Sequence, residues 1–162
     1  TYSTANAALN VGTDTFVLQA DSGETTGLKW SDPENLKHAV ALEIAASDES
    51  TALDTSSNPR VTFRMPFAMT LNSSENGVRC SLTTAGSTSG VTEVDILQGG
   101  VSILSTTLTI DSGSLTSVGA TTPVVVGTTA LTDNSSMTVA VDTISGGATE
   151  AGLKIQLIGD LT

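Results

Sequence analysis

Apolar residues at every second position recur along most of this chain, and no other feature of the sequence constrains its fold as strongly. In residues 135–144 (SSMTVAVDTI), Met137, Val139 and Val141 alternate with polar or small residues. Successive side chains of a β-strand point to opposite faces of a sheet, so such a segment has one apolar face and one polar face. The alternation predicts half-buried strands.

The same alternation appears in further short segments that are separated by Gly, Ser, Asn and Pro residues typical of turns. Residues 38–46 could form a helix by propensity alone, but their alternation favours a strand. The QGG sequence at 98–100 predicts a tight hairpin turn, because glycine tolerates positive φ. The predicted strand segments are 38–46, 61–65, 67–71, 78–84, 91–97, 101–104, 124–126, 135–144 and 153–159, and residues 105–110 either continue the strand at 101–104 or begin another.

These segments predict an all-β fold, an antiparallel jelly-roll-like β-sandwich of about eight strands over residues 36–162. The composition agrees with this prediction, since Ser, Thr and Val are abundant and only 14% of the residues are charged. Residues of that kind suit strands better than helices.

Residues 1–35 have no sustained period and too few apolar side chains to close a core of their own. They are predicted to form an extended segment before the sandwich, with short strands at 15–20 and 27–30, and to end in a turn at Asp32 and Pro33. The apolar side chains of this segment are Leu9, Val11, Phe16, Val17, Leu18, Leu28 and Trp30.

The charge of the chain excludes one large class of partner. Seventeen acidic and six basic residues give a net charge of −11, so a nucleic acid would be repelled. No apolar run approaches the length of a membrane-spanning helix, and membrane insertion is not expected. Cys80 is the one cysteine of the chain and shares a phase with Val78 and Leu82, so it is expected to be a small buried hydrophobic residue.

Two parts of the chain, residues 12–33 and the remainder that follows them, resemble segments of bacteriophage virion proteins. The sequence GTDTFVLQADSGETTGLKWSDP (12–33) resembles the linker motif that precedes a C-terminal domain in phage tail fibres. The sequences FRMPFAMTL (63–71) and GGVSILSTTLTID (99–111) are similar to a β-rich domain in fibre-like virion proteins of marine and cyanobacterial phages. The resemblance covers nearly the whole chain.

The resemblance implies a non-enzymatic virion structural protein, the trimeric head of a tail fibre that attaches to a host surface glycan or protein. Its partners would be further copies of itself and other virion proteins, and its location the phage particle, assembled in the bacterial cytoplasm. Three copies of residues 1–35 around an axis would bury the apolar side chains of that segment, and the trimer is expected to form through this segment and one face of the sandwich. Two alternatives stay open: an architectural capsid decoration, head-fibre or tail-adaptor protein, and a carbohydrate-binding module or glycan hydrolase.

Few residues are candidates for chemistry, and the prediction is that the chain has no catalytic, cofactor-binding or metal site. His38 is the one histidine and lacks a recognisable nucleophile motif beside it. Glu93 and Asp95 share one face of a predicted strand, as paired glycosidase carboxylates could. Without aromatic residues to bind sugar rings, a structural role is favoured for both.

The sequence also contains no clear calcium-binding or sugar-binding motif. Asp111, Asp133 and Asn134 lie in predicted turns without the ordered spacing of a calcium loop. Trp30 and Tyr2 are the amphipathic aromatics, and Trp30 is expected to dock the N-terminal segment onto the sandwich. Receptor binding, if it occurs, is predicted in the polar loops, because loops carry binding on rigid β scaffolds. These loops are 47–59, 84–90, 111–122 and 145–151.

Overall fold

The computed structural model describes residues 12–32, 39–87, 89–147 and 149–162. The predictions for Tyr2, Leu9, Val11, Pro33, His38 and the boundary after residue 35 concern positions outside these ranges. The chain divides into two compact units, Thr1–His38 and Ala39–Thr162.

The described residues contain no α-helix and fourteen short strands, so the predicted all-β, antiparallel fold is confirmed. A 3₁₀ turn spans Ser74–Asn76. The strands are β1 (Val17–Ala20), β2 (Leu28–Ser31), β3 (Ala39–Ala45), β4 (Val61–Arg64), β5 (Met69–Leu71), β6 (Val78–Ser81), β7 (Val91–Gln98), β8 (Val101–Ser102), β9 (Leu104–Thr106), β10 (Leu108–Asp111), β11 (Val125–Val126), β12 (Ala130–Leu131), β13 (Ser136–Thr143) and β14 (Lys154–Leu161).

The first unit contains an antiparallel hairpin of β1 and β2. Both strands were predicted, but the chain folds back on itself here instead of continuing as an extended segment. The turn is held by Asp21, whose Oδ1 accepts a hydrogen bond from the Gly23 N–H at 2.8 Å and whose Oδ2 lies 2.6 Å from Lys29 Nζ. Leu18 stands opposite Trp30 in the register of the hairpin.

In the second unit, one five-stranded sheet has the order β10-β7-β13-β4, with β8 joined to β7. The β7–β8 hairpin turns at Gly99 and Gly100, whose φ values are 60° and 84°. A type I′ turn needs positive φ at both central residues, and the predicted QGG turn is confirmed. Asp142 is the extra residue of a bulge in β13, because Val141 pairs with Val94 and Thr143 with Glu93.

The other five-stranded sheet is organised around β14. Strand β3 pairs with one side of β14 along its length, and β6 and β5 share the other side. Strand β12 extends the sheet beyond β5, and a separate two-stranded sheet joins β9 to β11. The strand prediction for 38–46 is therefore confirmed, and β3 pairs with a strand at the far end of the unit's sequence.

The predicted count of about eight strands was too low. The described part of the second unit contains twelve strands, β3 to β14, and several of them are only two or three residues long. The segment 101–110 contains three strands, since the Ser102 hydroxyl accepts a hydrogen bond from the Leu104 N–H at 3.0 Å and turns the chain between β8 and β9. Strand β12 was not predicted at all: two residues are too few to show an alternation.

The core of the second unit is one hydrophobic cluster to which both five-stranded sheets contribute alternate residues. The central strands β7, β13 and β14 supply side chains with no exposed surface, and Cys80 on β6 is buried as predicted. The fully buried residues of these central strands are Val94, Ile96, Met137, Val139, Val141, Ile155 and Leu157.

We expect Leu157→Ala to lower the free energy of unfolding by about 3 kcal/mol, because the change leaves a cavity between strands paired on both sides. Leu157 has 0% exposed surface. Leu115, which is 48% exposed, provides the matched control, and Leu115→Ala should cost less than about 0.5 kcal/mol. Urea unfolding measures both, and equal losses would contradict this description of the core.

Candidate functional site

The four loops predicted for binding are joined by backbone hydrogen bonds. Leu53 N–H donates to the Glu150 carbonyl at 2.7 Å, which ties loop 47–59 to loop 145–151. Gly146 N–H donates to the Ser89 carbonyl at 2.8 Å, and an isolated bridge pairs Thr84 with Ala151. These contacts join loop 84–90 to loop 145–151 as well.

The fourth loop enters this group only at its start. Gly113 N–H donates to the Gly86 carbonyl at 3.0 Å. Farther along, Ser117 packs against β6, where its hydroxyl accepts a hydrogen bond from the Cys80 N–H at 2.9 Å. The described residues of loops 47–59, 84–90 and 145–151, with residues 111–113, are therefore joined into one group, which we call the loop cluster.

Glu150 lies at the centre of the loop cluster and has 0% exposed surface. Its Oε1 accepts hydrogen bonds from the Ser145 N–H and the Thr92 hydroxyl, both at 3.0 Å, and from the Ser145 hydroxyl. Its Oε2 is buried without a hydrogen-bond partner in the described part of the chain. The Glu150 carboxylate thus joins the two ends of loop 145–151 and ties that loop to the start of β7.

The position of Gly86 shows how closely the loops approach Glu150. A Cβ added at Gly86 would lie 1.8 Å from Ser145 Oγ and 2.6 Å from Glu150 Oε1. Any side chain there would displace the hydrogen bond between those two residues, so the loop cluster requires glycine at this position.

Burial raises the pKa of the Glu150 carboxyl, but hydrogen bonds from Ser145, from its own N–H and from Thr92 outweigh burial, and the net pKa is lowered. The group is therefore ionised at neutral pH. Nothing in the sequence singled out Glu150, because it lies in a loop of small residues, ISGGATEAG, without a period.

Loop 47–59 is ordered by two aspartates that each cap a turn. Asp48 Oδ1 accepts hydrogen bonds from the N–H groups of Thr51 at 2.7 Å and Ser50 at 2.9 Å, and these bonds hold the pKa of Asp48 far below its ordinary 3.8. Asp54 accepts in the same way from Ser56 and Ser57, which also lowers its pKa. The loop is polar, as predicted, but fixed.

Asn58 attaches the end of this loop to β13, in the sheet with the order β10-β7-β13-β4. Its side-chain amide donates to the Val141 carbonyl at 2.8 Å and accepts from the Val141 N–H at 2.9 Å. The Arg60 guanidinium that follows lies 3.4 Å from the Asp54 carboxylate. Two side chains thus replace the backbone pairing that an irregular loop lacks.

Glu93 and Asp95 on β7, the predicted pair, lie close to Asp142 on the neighbouring strand β13. Glu93 Oε2 accepts from the Thr143 hydroxyl at 2.6 Å, and Asp95 Oδ1 accepts from the Ser102 hydroxyl at 2.6 Å and the Ile96 N–H at 2.7 Å. Burial is the largest cause that raises the pKa of the Asp142 carboxyl, and the negative charges of Asp95 and Glu93 raise it further. Glu93 and Asp95 therefore serve as acceptors within the sheet.

The calcium candidates lie in two separate turns. Asp111 Oδ2 accepts from the N–H and hydroxyl of Thr121, both at 2.9 Å, and Asn134 adopts the left-handed region with φ of 56° in the turn that also holds Asp133. Across the ranges that the structure describes, no three His, Cys, Asp or Glu residues are grouped to hold a metal ion. Turn chemistry accounts for these residues.

Two further residues have structural settings. Burial raises the pKa of the Cys80 thiol to about 12, so this thiol is not a nucleophile at neutral pH. In the hairpin, a Cβ at Gly12 would lie 2.4 Å from Trp30 Cδ2, so the Trp30 ring lies directly over the Gly12 backbone. Trp30 itself is 37% exposed.

Comparison with family models, with curated proteins and with solved structures gives no match to this chain. Nor do the described residues include a helix of the length and hydrophobicity that crossing a membrane requires.

We expect Glu150→Ala to lower the free energy of unfolding by about 3 kcal/mol, because the Ser145 N–H and the Thr92 hydroxyl would lose a charged acceptor in a buried site. Amide hydrogen exchange should accelerate at Ser145, whose N–H loses its acceptor, before global unfolding. Asp133→Ala, at an exposed turn, is the matched control and should change stability by less than about 0.5 kcal/mol. Unchanged exchange at Ser145 would show that the Glu150 carboxylate does not hold loop 145–151.

Stability should fall in acid, because Asp48, Asp54 and Glu150 have folded pKa values below their ordinary 3.8 and 4.5. Such carboxyls bind protons more tightly in the unfolded chain, so their contribution is complete above about pH 4.5 and is lost as the pH falls through the folded pKa values. Denaturation midpoints recorded from pH 7 to about pH 3 measure this loss.

The double variant Asp48→Asn, Asp54→Asn is the control for acid stability, because asparagine retains the acceptor oxygen and removes the titration. Its midpoint should depend less steeply on pH than that of the unchanged chain. Identical slopes would mean that these two turns do not contribute.

Proposed function

We propose that this chain is a non-enzymatic structural protein of a phage virion, the head of a tail fibre that attaches to the host cell surface. The observation that carries the proposal is the loop cluster, in which several polar loops are joined to one another by backbone hydrogen bonds. A surface that is ordered in advance loses little conformational entropy on binding, as an adhesive head requires.

In this proposal the two five-stranded sheets stack face to face as a jelly-roll-like sandwich. The single hydrophobic cluster shared by the two sheets supports the stacking. A stack of this kind holds its loops at the ends of rigid strands, and the loop cluster then forms one end of the head.

The proposed head is a homotrimer, and the hairpin of the first unit supports self-association. Leu18, Leu28 and Trp30 lie on one face of it and are 48%, 38% and 37% exposed. An isolated two-stranded hairpin is at best marginally stable in water, and burial of this face against equivalent copies would stabilise it.

Labelling of the intact particle tests the location. Antibody against the purified chain, viewed by electron microscopy, should decorate the tips of tail fibres. Label on the capsid shell would contradict the tail-fibre assignment and favour the decoration role. Release of reducing sugar from host polysaccharide by the purified chain would contradict a non-enzymatic protein.

Attachment can be tested with the protein alone. The purified chain should bind cells of the host and reduce adsorption of the phage, because it occupies the same receptor. Replacing exposed Ser89 in the loop cluster by Arg should weaken this competition about tenfold, since a bulky charged side chain would block a central contact. Thr128→Arg, exposed and outside the loop cluster, should compete like the unchanged chain.

If both variants compete equally, the loop cluster is not the receptor-binding surface. If the unchanged chain neither binds cells nor reduces adsorption, the chain has no role in attachment.

A further inference from the structure

Two edge strands of the second unit have open backbone edges. Among the described strands, β3 pairs with β14 alone and β4 pairs with β13 alone. The outer edge of each strand therefore presents backbone N–H and C=O groups without a neighbouring strand. Such an edge is a template for pairing with another chain, and proteins usually block it with charged side chains (above all lysine), with proline or with a bulge. Strand β3 (AVALEIA) has no lysine, proline or bulge, and Glu43 is its one charged residue.

The apolar side chains of β3 and β4 are less buried than those of the central strands. Val40, Leu42 and Ile44 on β3, with Val61 and Phe63 on β4, pack against the core but remain partly exposed. The residues that face the core from β13 and β14 have no exposed surface. Both open edges thus combine unpaired backbone with a partly exposed apolar row.

The opposite faces of these two strands carry opposite charges. Glu43 is exposed on β3, where its Oε2 accepts a hydrogen bond from Gln156 Nε2 at 2.7 Å. Arg64 is exposed on β4, where its guanidinium donates to the Asn134 carbonyl at 2.9 Å. Arg64 is one of only six Lys and Arg residues in a chain of net charge −11.

Charge decides which edges fit together. Pairing β3 with β3 of another copy would bring two Glu43 carboxylates onto one face, and pairing β4 with β4 would bring two Arg64 side chains together. Pairing β3 of one copy with β4 of the next sets opposite charges on one face and two apolar rows on the other.

We propose that the β3 edge of one copy of this chain pairs with the β4 edge of a second copy, so that the sheets continue across the contact. An antiparallel alignment with Phe63 beside Leu42 places Thr62 opposite Glu43. Arg64 then lies one pair along on the same face, within reach of the carboxylate. A contact between two different edges repeats from copy to copy and closes into a ring when the rotation allows it.

This inference rests on the self-association proposed above and adds the surface that carries it. Charge reversal tests it in the full chain, with the mass measured by light scattering and by sedimentation over a range of concentrations. Glu43→Arg and Arg64→Glu should each weaken the association by about tenfold, because each sets like charges side by side at the contact. The double variant restores the pair and should associate like the unchanged chain.

The double variant has the same net charge as the unchanged chain, so it controls for general repulsion. Glu43→Arg alone reduces the net negative charge, and a purely general effect would strengthen the association instead of weakening it. Circular dichroism and the melting temperature of each variant establish that the fold persists.

The outcomes separate the surface from the assembly. A trimer that neither single variant weakens would overturn the β3–β4 contact and leave the trimeric head standing. Weakening by the single variants without recovery in the double variant would also overturn the proposed pairing. A chain that remains monomeric at every concentration would overturn both the contact and the trimer.

Discussion

The pairing of β14 on both sides is the constraint on which the second unit depends. Along its length β14 bonds to β3, and its other side bonds to β6 and then to β5, so one strand fixes the order of a whole sheet. The residues of β14 that face inward, Ile155 and Leu157, join the cluster that β7 and β13 supply from the other sheet. Backbone pairing and apolar burial therefore reinforce one another.

Alternation in the sequence was enough to predict the strands but not how they divide. Strands such as β3, β7, β13 and β14 are long enough to show a period of two, and each was predicted near its observed position. Strand β12 has only two residues and pairs with β5, far away in the sequence, and a local pattern contains no information about that pairing. The break between β8 and β9 comes from the short-range hydrogen bond of Leu104 N–H to the Ser102 hydroxyl, which apolar alternation does not indicate. The stacking of the sheets and the trimer remain proposals.

The candidate site shows the same limit. The four loops could be identified because they lack a period and are rich in turn residues, but their junction could not. Glu150 is a charged residue in a loop of small ones, a pattern that usually indicates exposure, whereas the fold buries it completely. Its role follows from the approach of Gly86 and Ser145, which tertiary structure alone creates.

The separation of β3 from β14 has a consequence for synthesis of the protein. Glu43 on β3 bonds to Gln156 on β14, and these two residues are 113 positions apart. During translation β3 is synthesised early, but it cannot pair with β14 until almost the whole second unit has been translated. Non-local pairing of this kind forms slowly. Strand β3, which is apolar except for Glu43, therefore leaves the ribosome with both backbone edges unpaired and accessible to other nascent chains.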